Sequence, residues 1–126
     1  QEVKRKTIKD SMLDLSHKNL DVWKKSIELV SEVYNLTSKF PNQEQYCLTS
    51  QIRRSAISIP SNISEGNARS SKLETIRYLD IARASLVELD TQIEIAIKLN
   101  YLNNCDTNTI SEMINHTFAK LSKFIQ

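Results

Sequence analysis

The chain is 126 residues long, the size of one domain with a single core. One glycine, two prolines, 40% hydrophobic and 25% charged residues describe an all-helical globular protein, and no run approaches the roughly 20 apolar residues of a bilayer span. A net charge of +2 does not announce nucleic-acid binding by itself, and Cys47 and Cys105, without paired spacing or histidine neighbours, read as free thiols in a reducing cytoplasm.

Residues 1–18 are polar and lysine-rich, with Met12, Leu13 and Leu15 as the only apolar cluster after Ile8, and no apolar core of a secretory signal. A flexible arm is expected there, ahead of a bundle domain over 19–126; it reads as a solvated tail before a basic arm that touches RNA. Helix one is predicted from about Leu20 to Lys39. Leu20, Trp23, Ile27, Val30, Tyr34 and Thr37 alternate three and four apart, the inward seam of a bundle helix. Leu29, Val33 and Leu36 widen that stripe towards a further neighbour. Trp23 reads as a core or interface anchor before a base-stacking platform. Phe40 and Pro41 end the helix, and Asn42 is a good N-cap for the next, with Gln45 three residues on to reach back.

Helix two is predicted to run to about Glu65. Ile52, Ala56, Ile59 and Ile63 share one face. Beside them Arg54, Ser58, Ser61 and Glu65 form a regular stripe of small hydroxyls framed by one cation and one anion. A solvated face carries Lys and Glu, so this stripe suggests contact with other protein. Pro60 removes a backbone donor and crowds the carbonyl of Ala56, and a bend is expected there. Gly66, the only glycine, suits the left-handed position just past a helix end.

Ser71 and Glu74 fit a capping box at the start of helix three, which continues to about Leu99. Its inward stripe is Ile76, Leu79, Ala82, Leu86, Leu89, Ile93 and Ala96; Tyr78, Ile81, Ile95 and Ile97 lie outside it, so the helix has more than one partner. Helix four is predicted from Asp106 to about Phe124, with Ile110, Met113, Ile114, Thr117, Leu121 and Phe124 or Ile125 turned inward. Short connections favour antiparallel neighbours. The fold expected is therefore an all-α, up-down-up-down four-helix bundle, with helix two kinked at Pro60. Apolar positions beyond one stripe per helix predict a homo-oligomer.

No catalytic constellation is present. His17 and His116 stand alone, the serines have no glycine-framed elbow, and no glycine loop cradles phosphate. Glu88, Asp90 and Glu94 lack the Glu-x-x-His partner of carboxylate metal bundles, so neither metal nor cofactor is expected. Arg54 reads as structural before ligand-facing: with Glu88 it could form a bidentate pair across helices two and three, while Asn62 and Glu65 satisfy backbone groups loosened at Pro60. Charge is uneven along the chain. Residues 51–84 carry six cations against three anions, net +3, and residues 85–114 carry one cation against five anions, net −4. Arg53, Arg69, Lys72 and Arg77 are the nucleic-acid candidates, suited to phosphate contact without base readout; the residues alone fit a solvated surface equally well. Arg77 also stands three residues beyond Glu74, an ordinary helix-surface pair.

The stretch from Gln51 to Arg69 resembles the central signature of the four-helix bundle family encoded in 23S rRNA intervening sequences. The resemblance extends through Leu20 to Lys24, Val33 and Tyr34, Phe40 and Pro41, Leu48 to Gln51, Tyr78 to Leu89 and Thr91 to Ala96, in order, over roughly residues 20–102. More loosely, the chain is similar to the accessory proteins of diversity-generating retroelements, which share the bundle and assist a reverse transcriptase. The resemblance implies a bundle, a closed homo-oligomer with a pentamer favoured, and a nucleic-acid context; it implies no catalytic residues. Two functions follow as expectations: an oligomeric RNA- or DNA-binding adaptor, or a protein-interaction scaffold that docks a partner such as a reverse transcriptase.

Overall fold

Four hydrophobic periods become four α-helices in the computed structural model, which describes His17 and residues 20–126. They are α1 (Asp21–Thr37), α2 (Leu48–Asn67), α3 (Lys72–Lys98) and α4 (Asn108–Ile125), with no strand among the described residues. The arm expected over 1–18 lies outside the described residues except for His17, whose ring stands edge-on to Trp23 with 5.2 Å between centroids.

Helix boundaries follow local hydrogen bonding. Asn42 does not cap α2; Asn42–Glu44 form a separate 3-10 turn. Glu44 serves the helix instead, its Oε1 accepting the Leu48 N–H at 3.3 Å. Its other oxygen accepts the Tyr101 hydroxyl at 2.7 Å, which ties the α1–α2 connection to the α3–α4 connection. That bond to a carboxylate holds the Tyr101 hydroxyl above the usual phenol range. Ser71 caps α3, its Oγ accepting the Glu74 N–H at 3.3 Å, but the return bond to the Glu74 side chain that the expected capping box needs is not formed. α3 is followed by Asn100 at φ 65°, a left-handed conformation that asparagine tolerates. Asn103 and Asp106 close a reciprocal capping box on a 3-10 turn, and α4 itself begins at Asn108.

Gly66 has a different role from the expected cap. It is buried inside α2, and no glycine has a positive φ. A Cβ there would stand 2.9 Å from Tyr78 Cβ and 3.1 Å from the Thr75 carbonyl oxygen. Its missing side chain lets α2 and α3 touch, and Thr75 Oγ1 donates to the Gly66 carbonyl at 2.9 Å. Further back along α2, the Ser58 and Ser85 hydroxyls lie 2.8 Å apart. Partners thus descend α3 as positions ascend α2, so these two helices run in opposite directions.

Each helix packs on the next, and α1 also packs on α4, closing a four-membered ring. Leu29, Ile52, Ile59, Ile63, Leu86, Leu89, Ile110 and Leu121 fill its centre at no more than 1% exposure. Burying one such side chain contributes about 1.5–3 kcal/mol before chain entropy is set against it. α3 and α4 turn the expected stripes inward, although Phe124 remains exposed. α1 does not. Its buried residues are Val22, Ser26, Leu29, Val33, Leu36 and Thr37, while Trp23 and Val30 are half-buried and Ile27 and Tyr34 are 43% and 40% exposed. Ser26 conceals this inner stripe in the sequence. Its hydroxyl donates to the Trp23 carbonyl at 2.7 Å, so it packs in the core as a small residue with its polarity satisfied.

Candidate functional site

Arg69, Lys72 and Arg77 lie around the turn from α2 into α3. Arg69 is committed: its guanidinium pairs with Glu65, donates to the Tyr78 hydroxyl at 3.1 Å, and lies 4.9 Å from the centroid of that ring. Lys72 and Arg77 are exposed and form no ion pair among the described residues, so the spacing of Arg77 from Glu74 does not produce a pair. Arg53 stands apart from the group. It is half-buried, its Nε–H donates to Thr37 Oγ1 at 2.9 Å, and its guanidinium carbon sits 4.3 Å over the Tyr34 ring. That arrangement clamps α2 to the end of α1.

The polar stripe of α2 is used within the bundle. Asn62 Nδ2 donates to the Ser58 carbonyl at 2.7 Å and to Ser58 Oγ at 2.9 Å, and Ser58 in turn meets Ser85. Ser64 Oγ donates to the carbonyls of Pro60 and Ser61, each at 3.0 Å. Ser58 thus reaches across the α2–α3 seam to Ser85, while Asn62 and Ser64 bond back onto their own helix, and none of these bonds reaches the Ala56 carbonyl that Pro60 leaves without its helical donor. They leave no charged pair inside the seam. Arg54 and Glu88 are both exposed and form no ion pair with each other, which corrects the bidentate pair expected between them. Glu65 pairs with Arg69 instead of with the backbone near Pro60.

Two grooves flank the bundle. Between α1 and α2, Trp23, Ile27, Val30 and Tyr34 face Ile57 and Pro60 across an open cavity of about 620 Å³. Tyr34 and Ile57 continue into a neighbouring depression lined by Tyr46, Arg53 and Arg54. Between α3 and α4, a groove of about 310 Å³ has Val87, Ile97, Ile114 and Phe118 with Asp90 and Glu94. Sequence reasoning did not foresee the second groove. Val87, Asp90, Glu94 and Ile97 recur three and four apart beside the core stripe, and that spacing was its signal.

A third cluster joins α1 to α4. Asp21 Oδ2 lies 3.2 Å from His116 Nε2 and 3.9 Å from Lys120 Nζ. The hydrogen bond with His116 holds the Asp21 carboxyl below the usual carboxylate range, with the Lys120 charge adding to it. Among the described residues no three His, Cys, Asp or Glu side chains are placed to hold a metal ion. Cys47 and Cys105 are both exposed free thiols. No helix of the described residues is long and apolar enough to cross a membrane.

The family model described as 23S rRNA-intervening sequence protein matches residues 18–123. Among solved structures, the chain is similar to a protein with unknown function from the S23 ribosomal protein family of Bacteroides thetaiotaomicron VPI-5482. The two are 26% identical with a TM-score of 0.77, over 83% of this chain and 98% of that one. No curated protein matches the chain.

Proposed function

Because this chain belongs to the 23S rRNA-intervening sequence protein family, we propose that it is a non-enzymatic, self-associating bundle that serves as a cytoplasmic adaptor for structured RNA or DNA. The observation that carries this reading is that Lys72 and Arg77, in the first turns of α3, are exposed and form no ion pair among the described residues. Exposed cations without a carboxylate partner are free to replace the counterions of a phosphate backbone. They read charge and position, and carry no base specificity. Two or three cations bind weakly, but a homo-oligomer repeats them in register, and linked weak sites gain avidity. The family resemblance favours a pentamer for that assembly.

An electrophoretic shift assay with structured RNA and duplex DNA at several salt concentrations tests the reading. Lys72→Glu with Arg77→Glu is expected to weaken binding while helicity and oligomer mass stay constant. Lys98→Glu with Lys123→Glu, the same charge change elsewhere on α3 and α4, is the control. Equal losses in both variants, or a wild type that binds neither nucleic acid, count against the adaptor. The second reading, a scaffold for a protein such as a reverse transcriptase, draws on the outward apolar seam of α1. It gains if nucleic-acid affinity is absent until that protein is added.

A further inference from the structure

The two grooves differ in charge and occupy opposite sides of the molecule. α1 packs on α2 and α4, and α3 packs on the same two helices, so the α1/α2 groove and the α3/α4 groove face away from each other. The first has an apolar floor from Trp23, Ile27 and Ile57, and its continuation carries Arg53 and Arg54 with no carboxylate among the lining residues. The second has an apolar floor from Ile97, Ile114 and Phe118, and carries Asp90 and Glu94 with no cation among its lining residues. Large apolar side chains remain open on both, with Ile27 and Ile57 at 43% exposure, Val87 at 54% and Phe118 at 39%.

From this opposition we infer that the α1/α2 groove of one copy receives the α3/α4 face of a second copy, head to tail, with Arg54 set against Asp90 and Glu94. The inference rests on the self-association proposed above and adds which surfaces meet. Arg54 is the free charge of its groove, since Arg53 is held by Thr37 and Tyr34. Pairing identical faces is disfavoured: two α1/α2 grooves would oppose guanidinium to guanidinium, and two α3/α4 faces would oppose carboxylate to carboxylate. A head-to-tail contact joins unlike charges and covers apolar surface on both sides. It also leaves each copy with one groove and one face still open, so addition continues, closing into a ring where the rotation between copies allows it and extending as an open filament where it does not.

Light scattering and sedimentation across micromolar concentrations test the pairing. Wild type is expected as a multiple of 14.5 kDa. Arg54→Glu, and separately Asp90→Lys with Glu94→Lys, are each expected to dissociate at about ten-fold or higher concentration than wild type. All three changes in one chain restore opposite charges across a head-to-tail contact and are expected to recover assembly. All substituted positions are exposed, so circular dichroism should show unchanged helicity. Ile57→Ser and Val87→Ser, which truncate the apolar surfaces without altering charge, are expected to loosen assembly as well. If wild type assembles and none of these variants loosens it, the interface lies elsewhere and the pairing is overturned while self-association stands. If the charge variants dissociate and their combination is not restored, the head-to-tail arrangement is overturned. A monomeric wild type removes both the pairing and the self-association on which it rests.

Discussion

One added methyl group at Gly66 would place a carbon 2.9 Å from Tyr78 Cβ and 3.1 Å from the Thr75 carbonyl oxygen. Both belong to the body of α3, so relief requires the helices to part. Overpacking of this kind costs about 1–3 kcal/mol, whereas the better helix propensity of alanine returns about 1 kcal/mol at most. Gly66→Ala should therefore lower stability in chemical denaturation, and a more stable variant would show that the joint has slack. Composition singles out this glycine, but no single-chain pattern distinguishes a cap from a close crossing, because the crossing is set by Tyr78 and Thr75 on another helix. Arg53 was hard to read for the same reason: its partners Thr37 and Tyr34 belong to α1. Asp21 supplies a pH prediction. Its carboxyl is held below the usual range in the folded state, so its contribution is present above about pH 4 and is lost as pH falls through the lower folded value. The melting temperature of Asp21→Asn should trail wild type near neutrality, and the gap should close in acid. A gap independent of pH would mean that the His116 and Lys120 contacts do not act through charge.

At the level of the helix, Pro60 sits buried within α2 and also lines the α1/α2 groove. Pro60→Ala supplies an N–H for the Ala56 carbonyl and removes the ring that crowds it, so any bend the proline imposes on α2 should relax. Helicity by circular dichroism should hardly change, while light scattering should show assembly lost at higher concentrations than in wild type. Unchanged assembly would mean the proline is merely tolerated. The helices themselves were legible wherever one period dominates, as in Leu79, Ala82, Leu86, Leu89 and Ile93 of α3. α1 has two valid apolar stripes, and periodicity cannot say which one a neighbour will claim. The inner stripe can be buried because Ser26, the polar member among Val22, Leu29, Val33 and Leu36, satisfies its hydroxyl on its own helix at the Trp23 carbonyl. The start of α2 was misplaced because Glu44, not Asn42, supplies the capping oxygen, and Tyr101 from a distant loop fixes that carboxylate.

For the whole molecule, the proposed binding of nucleic acid would depend on charge and assembly together. The surplus of three cations over residues 51–84 and of four anions over 85–114 is visible in the sequence, but its meaning is not. In the fold Arg53 is spent on α1, Arg69 on Glu65 and Tyr78, and Arg83 on Asp80 and Ser122, which leaves Lys72 and Arg77 as cations free for phosphate near the α2–α3 turn. Each phosphate neutralised on a duplex contributes about −0.9 to the slope of log affinity against log salt. If both cations of one copy engage phosphate, Lys72→Glu with Arg77→Glu should flatten that slope by about 2, and by a multiple of that value when several copies touch one strand. The dependence on copy number separates a ring that presents many patches from a lone patch on one subunit. Comparing the slope for Arg54→Glu, which is expected to dissociate the assembly while sparing Lys72 and Arg77, isolates that multiplicity. A slope that stays constant through dissociation would show that subunits bind nucleic acid independently, and a slope indifferent to Lys72 and Arg77 would remove the patch from the binding surface.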